Sequence, residues 1–281
     1  MRNRILAGVG VAAIATLGLA APAQADTADT ADLYVVHGVP GEGDFPVDIY
    51  ANGAIVEALA GVTFGTVTEA PLELPAGDYT IDIVAADAEA PAEGEGLLTL
   101  DATLAAGDSV TAVAHLTAAG EPALTAFVNN VDPIAAGEAR LTVRHAAAAP
   151  AVDVLAGGAP LDAFAGVENG GAGDIDLPAG AVEAAVAAAG TTDPVIGPAE
   201  LPLVAGTNTL VHAIGSLEDE NLQFAVITID GLGAAPEGVP AGSAGLVAEN
   251  NTGALVGGAA LLIALLEAAG ILARRATVSS K

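Results

Sequence analysis

Four residues combine side chains that could carry out acid–base chemistry. His37 and Asp48 recur about one hundred residues later as His145 and Asp153. A histidine beside a carboxylate can act as a general base and activate a nucleophile. The chain has no cysteine, however, and no serine lies in a G-x-S-x-G turn. The His-to-Asp spacing also changes from 11 to 8 residues, whereas catalytic partners need a fixed geometry. We therefore predict a structural motif without catalytic residues, with a His–Asp-dependent extracellular hydrolase as the alternative.

Two acidic segments are candidate ligands for a hard cation such as Ca²⁺. Asp174-x-Asp176 and the run Glu218–Glu220 offer oxygen ligands. Neither segment has the glycine and the distal glutamate of an EF-hand loop, and no phosphate-binding glycine loop occurs. We therefore predict no metal-binding residues, no cofactor and no cofactor-binding residues. A Ca²⁺-dependent adhesin is kept as a further alternative.

The charge of the central part is strongly one-sided. Residues 26–250 hold two arginines, Arg140 and Arg144, no lysine and 34 of the 35 acidic residues, a net charge of −32. Such a surface repels phosphate backbones, so nucleic acid is excluded as a partner. The two arginines share one face of a predicted strand. We expect them to pair with nearby carboxylates, across the boundary between the repeats.

The His–Asp motif lies in an internal repeat of strand-like segments. PVDIYANG at 46–53 matches AVDVLAGG at 151–158, and Leu-Pro-Ala-Gly follows each copy, at 74–77 and 177–180. Apolar and polar residues alternate in Val47–Ala51 and Tyr79–Ala85, as in half-buried strands. Each repeat contains about seven short strand candidates separated by turn residues, the pattern of a β-sandwich. The Ala-rich stretch 181–189 occupies the repeat position of Tyr79–Ala85 and is therefore predicted to be a strand.

Both ends of the chain are apolar. Residues 1–25 have the basic start, apolar core and Ala-x-Ala ending of a secretory signal peptide. Residues 253–273 are long enough for a membrane-spanning helix and are followed by Arg274 and Arg275. The predicted location is therefore the cell surface, with the body outside and the C-terminal helix in the cytoplasmic membrane. A related possibility is a sorting signal for wall attachment, although residues 249–253 keep only Thr-Gly of the usual Leu-Pro-x-Thr-Gly.

The predicted fold class is all-β: two tandem Ig-like or transthyretin-like β-sandwich domains plus one C-terminal transmembrane helix. The predicted segments are a signal peptide (1–25), a flexible leader (26–32), a first β-sandwich (33–130), a linker (131–138), a second β-sandwich (139–230), a stalk rich in Gly, Pro and Ala (231–252), a transmembrane helix (253–273) and a basic cytoplasmic tail (274–281).

The two motif copies resemble the bacterial domain-of-unknown-function family 4397. Its members typically carry V-x-H-[AS]-x-P-x-x-P-x-V-D-V-Y followed by a Leu-Pro-Ala-Gly turn, and the resemblance covers residues 33–230 in two copies. The first copy has a longer loop after His37, and the second has Leu155 where the first has Tyr50. The resemblance implies an exported, β-rich surface domain and supplies no reaction. We therefore expect a non-enzymatic envelope protein with a structural or adhesive role, whose partner is an unknown envelope or extracellular ligand.

Overall fold

The computed structural model describes residues 29–41, 45–86 and 88–234, and these residues are all-β, as predicted. They fall within one compact unit that ends at Ala234. The strands of the first repeat are β1 Thr30–His37, β2 Val47–Ala51, β3 Ala54–Ile55, β4 Leu72–Pro75, β5 Gly77–Ala85, β6 Leu98–Leu104, β7 Ser109–Leu116 and β8 Pro122–Val128. Those of the second are β9 Glu138–Ala148, β10 Val152–Ala156, β11 Ala159–Pro160, β12 Ala172–Pro178, β13 Gly180–Ala188, β14 Pro194–Leu203, β15 Asn208–Ser216 and β16 Gln223–Ile229.

The sequence repeat is also a repeat of topology. In the first repeat the strand orders are β4-β1-β7-β8 (inner sheet 1) and β3-β2-β5-β6 (outer sheet 1). The second repeat has β12-β9-β15-β16 (inner sheet 2) and β11-β10-β13-β14 (outer sheet 2). In each inner sheet the first and seventh strands of the repeat run parallel, β1 with β7 and β9 with β15. The Ala-rich stretch is strand β13, because its place between β10 and β14 outweighs the helix propensity of alanine.

Each repeat forms a sandwich with its own core. In the first, Ile81 and Ile83 of β5 pack into the same cluster as Val47 and Ile49 of β2 and apolar residues of β1 and β7. A corresponding cluster joins β9, β10, β13, β14 and β15 in the second. The alternating apolar residues of each strand therefore face the partner sheet, as expected for two sheets packed face to face.

The two sandwiches pack against each other through their inner sheets. A third cluster contains Tyr34 and Val36 of β1 together with Leu210 and Ile214 of β15, all at most 4% exposed. Strands β7 and β15 are consequently buried at every position. The described residues form four layers, with both inner sheets in the middle.

Segments predicted to be flexible contribute to this packing. Strand β1 begins at Thr30, inside the predicted leader. Ile134, in the predicted linker, is fully buried, and its N–H donates to the Leu232 carbonyl at 2.7 Å. The Ala234 N–H donates back to the Ile134 carbonyl at 2.8 Å. The start of the predicted stalk is therefore tied to the linker.

The predicted fold class needs one correction, in its transmembrane helix. No helix in the described part of the chain is long and apolar enough to cross a membrane. Hydropathy showed only that a helix over residues 253–273 would reach across a bilayer, and it carried no information that a helix forms. That stretch lies outside the described residues, as do the predicted signal peptide, the remainder of the stalk from residue 235 and the basic tail.

Candidate functional site

The two motif histidines lie on β1 and β9, and both are buried. His37 is 5% exposed and His145 is 1% exposed. The Nε2–H of His145 donates to the Pro150 carbonyl at 2.9 Å, and its buried Nδ1 has no partner within the described ranges. The Nδ1 of His37 is likewise buried with no hydrogen-bond partner among the described residues. Burial lowers the pKa of both imidazoles, so both are neutral near pH 7.

The two motif aspartates bind backbone N–H groups of loops. Asp48 Oδ1 accepts from Gly61 at 2.7 Å. Asp153 accepts from Gly166 through Oδ1 and from Gly190 through Oδ2, both at 2.7 Å. Hydrogen bonds from Gly190 and Gly166 lower the pKa of Asp153. Each aspartate thus holds the loop that follows a short 3-10 turn, Glu57–Leu59 or Asp162–Phe164.

The structure does not join the histidines to the aspartates by a hydrogen bond. The bonds made by Asp153 go to two glycines, and the one made by His145 goes to a carbonyl. No hydrogen bond links His37 to Asp48 among the described residues. A general base needs its orienting group within hydrogen-bond reach, so this geometry gives the hydrolase alternative no support.

In the first of the two candidate Ca²⁺-binding segments, both aspartates lie beside Arg140. Asp176 forms a bidentate pair with Arg140, at 2.7 Å to Nε and 3.0 Å to Nη2, and Asp174 lies 3.8 Å from the same Nε. Arg140 also donates from Nη1 to the Asn130 side chain at 2.8 Å. Within the described ranges, no three metal-ligating side chains lie close enough together to hold a cation.

A second buried carboxylate fastens a loop of the first sandwich. Asp82 on β5 was expected to face solvent, yet it is fully buried. It accepts hydrogen bonds from the Gly94 and Gly96 N–H groups and from the Thr99 hydroxyl. Burial raises the pKa of Asp82, but the bonds from Thr99, Gly94 and Gly96 outweigh burial and lower it. The loop before β6 therefore folds over a position that alternation alone assigns to the surface.

The interface between the sandwiches contains a buried arginine that pairs with no carboxylate among the described residues. Arg144 is 1% exposed. Its Nη2 donates to Asn129 Oδ1 at 2.7 Å, and its guanidinium carbon lies 4.8 Å above the Phe127 ring. Burial lowers the pKa of Arg144 to about 10, so the group stays charged at neutral pH. The expected pairing with a carboxylate is wrong for Arg144, and Arg140 pairs within the second repeat rather than across the boundary.

Neutral groups from both sandwiches solvate this cation. Arg144 Nη1 lies 3.1 Å from His212 Nε2, and His212 Nδ1 lies 3.2 Å from the Ala225 carbonyl. A carbonyl can only accept, so Nδ1 carries the proton and Nε2 accepts from the arginine. Burial and the nearby charge of Arg144 lower the pKa of His212 to about 3. The motif search missed His212 because it occurs outside the repeated motif.

A cavity of about 320 Å³ opens beside His37 at one end of the first sandwich. Ten residues line it: His37, Val39, Pro40, Gly41, Phe45, Val47, Ile83, Leu97, Leu98 and Pro122. None carries a formal charge. Sequence reasoning missed this cavity, although the longer loop after His37 was its visible signal. A larger, open polar depression near Asp78 and Asp101 is lined by side chains already bonded to threonines.

Comparison with known proteins supports the family resemblance. Residues 31–155 match the family described as Domain of unknown function (DUF4397). This stretch contains the first sandwich except for Thr30, and both copies of the His–Asp motif. The family's description states no activity.

Comparisons with individual proteins add little to the family match. No curated protein matches the chain. A solved structure described as "The Bacillus anthracis TIE protein" matches with 13% identity and a TM-score of 0.20. The match covers 66% of this chain and 33% of that one, so this chain spans about a third of its length. A similarity this low supports no structural or functional statement.

Proposed function

We propose that the chain is a non-enzymatic, exported protein whose paired sandwiches act as one rigid structural and binding module. The observation that carries this proposal is the buried interface between the inner sheets. Tandem domains joined only by a linker usually move relative to each other. Here apolar residues of both sandwiches share a core, and Arg144 of the second sandwich binds Asn129 and the Val128 carbonyl of the first.

We further propose that the second sandwich is a second copy of the same family. Its eight strands have the same order as the first eight, including the parallel pair in the inner sheet. Asp153 holds the glycine after a 3-10 turn, as Asp48 does. Shared topology and a shared loop clamp support descent from one duplicated unit.

A location outside the cell follows from sequence features. Residues 1–25 have the composition of a cleavable signal peptide. The acidic surface and the absence of cysteine suit an exposed, soluble body that needs no disulfide. The partner proposed for this body is an envelope or extracellular ligand.

The rigid-body proposal is tested by urea unfolding of the purified protein, followed with probes in each half. Tyr34 and Tyr50 report the first sandwich, and a fluorine-labelled phenylalanine at Phe164 reports the second. One rigid module should give coincident transitions, because neither inner sheet is buried without the other. Two separated transitions of normal steepness would refute the shared interface.

The binding role is tested separately by co-sedimentation of the purified protein with isolated envelope fractions. Saturable retention is expected for a binding module. The same preparation should hydrolyse none of a panel of ester, amide and glycoside substrates. Turnover that disappears in the His37→Ala variant while folding is retained would favour the hydrolase instead.

A further inference from the structure

We propose that the cavity beside His37 binds a small, uncharged, apolar molecule about the size of a substituted aromatic ring, which hydrogen-bonds to His37. The volume of about 320 Å³ lies at the lower end of the range for small-molecule sites. The walls are aliphatic and aromatic apart from the imidazole. The ten described lining residues carry no charge, although the segment to which they belong carries −32.

At the corresponding end of the second sandwich, the protein's own side chains occupy the space. Strand pairing makes Val152, Val186 and Ile196 the counterparts of Val47, Ile83 and Leu98. In the second sandwich those residues form a core cluster, and Phe224 and Leu222 pack against it. In the first sandwich their counterparts line an open cavity.

Besides the longer loop after His37, two positions on the neighbouring strand differ between the sandwiches. The register of β8 on β7 and of β16 on β15 makes Leu124 the counterpart of Phe224, and extending it by one residue before β16 makes Pro122 the counterpart of Leu222. The first sandwich therefore lacks one aromatic ring and one branched side chain at this end. Because the ring of Phe224 packs at the corresponding position in the second sandwich, we expect the occupant of the cavity to contain an aromatic ring.

The entrance of the cavity is apolar as well. Phe45 is 47% exposed and Leu97 is 67% exposed, and both line the cavity. Gly41 leaves room for Phe45, since a Cβ on Gly41 would lie 2.5 Å from the Phe45 Cβ. Two large apolar side chains held in solvent at one opening are a feature of ligand sites.

His37 supplies the polar contact. His37 is only 5% exposed, and its Nδ1 has no hydrogen-bond partner in the part of the chain that the structure describes. An unpaired buried nitrogen is costly, and a ligand group can relieve that cost. A neutral imidazole can donate through one nitrogen and accept through the other, so a hydroxyl group suits it. An anionic group would meet the negative field of the acidic body.

The test uses two probes that differ by one hydroxyl, 4-ethylphenol and ethylbenzene, with 3-phenylpropionate as the anionic comparison. Binding to the purified full chain is followed by ¹H–¹³C NMR of methyl groups, which distinguishes Val47 and Ile83 from residues of the second sandwich. We expect saturable shifts at those methyls, with 4-ethylphenol binding about 3- to 10-fold more tightly than ethylbenzene, the value of one buried hydrogen bond. 3-Phenylpropionate should bind more weakly than both.

Three variants test whether the probes bind in this cavity and whether they contact His37. Pro122→Leu combined with Leu124→Phe copies the second sandwich into the first and should abolish binding of both uncharged probes. The control Phe224→Leu makes the reverse of the Leu124→Phe change in the second sandwich and should leave binding at Val47 unchanged. His37→Leu should remove the preference for 4-ethylphenol while ethylbenzene still binds.

Some results would overturn the proposal. Absence of saturable shifts at Val47 and Ile83 for both uncharged probes would show that the cavity is not a binding site. Binding that survives the Pro122→Leu, Leu124→Phe double change in a folded protein would place the probes elsewhere. Equal affinities for the two uncharged probes in the wild type would remove His37 from the site.

Discussion

Acidification from pH 7 to pH 5 should destabilise the fold through His212. Its side chain is fully buried, and its pKa in the folded protein is about 3, against about 6.5 in an unfolded chain. A histidine whose pKa falls on folding binds its proton preferentially in the unfolded state. Its contribution to stability is therefore complete above pH 6.5 and is lost progressively as the pH falls towards 3.

The size of the effect follows from these two values. At pH 5 the unfolded imidazole is almost entirely protonated while the folded one remains neutral. The free energy of unfolding should therefore fall by about 2 kcal/mol between pH 7 and pH 5 from this group alone. The pKa values of His37, His115 and His145 are also lowered, mainly by burial, and these groups change the stability in the same direction.

The assay compares urea unfolding of the wild type and the His212→Gln variant at pH 7 and pH 5. Urea is used at fixed ionic strength, because a salt denaturant would also screen the acidic surface. The variant is expected to start less stable, but its loss between the two pH values should be smaller by about 2 kcal/mol. Effects of the carboxylates are common to both proteins and cancel in the difference.

Two further measurements locate the cause. In wild-type protein, the NMR signal of His212 should show no titration between pH 7 and pH 4. In Arg144→Met the nearby positive charge is absent, so the pKa of His212 should rise and the pH dependence should weaken. Equal pH dependence in wild type and His212→Gln would refute the assignment of a buried neutral imidazole.

Three other perturbations test the remaining contacts. Added NaCl should raise the melting temperature, with most of the gain below about 1 M, because the acidic body repels itself at low salt; a flat response would mean that the carboxylates are too widely spaced to matter. Asp82→Ala should lower the free energy of unfolding by about 2–4 kcal/mol, since two partly buried N–H groups and the Thr99 hydroxyl lose their acceptor, and hydrogen exchange at Gly94 and Gly96 should accelerate with it. His37→Ala and His145→Ala should each cost about 1–3 kcal/mol in urea unfolding; an unchanged unfolding curve for either variant would contradict a packing role.

The strands could be predicted from the sequence because alternation is a local property. Val47 and Ile49 share a face whatever covers that face, so both the strand and its inward side follow from the pattern. The repeat then assigned the same structure to the Ala-rich stretch of β13. Local patterns say which residues share a face but do not say what lies against the other face.

The second layer of packing could not be predicted for that reason. Thr111 and His212 look like the solvent-facing positions of half-exposed strands, yet both are fully buried. They face the interface because the two inner sheets cover each other, and no local pattern encodes that contact. The surroundings of Arg144 could not be predicted for the same reason. Its place on one face of the strand follows from alternation, but its neutral hydrogen-bond partners do not.

The divergence of the two sandwiches follows from how their surfaces are used. The interface between the sandwiches buries one face of each inner sheet, and the core of each sandwich buries the other. The two inner sheets therefore leave little exposed surface in the middle of the four layers. Differences between the two sandwiches are therefore found in the loops and at the ends of the sheets. The second sandwich keeps a short loop after His145 and closes its end with Phe224, whereas the first lengthens the loop after His37 and leaves the end open. A buried histidine that donates to Pro150 in one copy thus lines a cavity in the other, which is why we propose a ligand site only for the first sandwich.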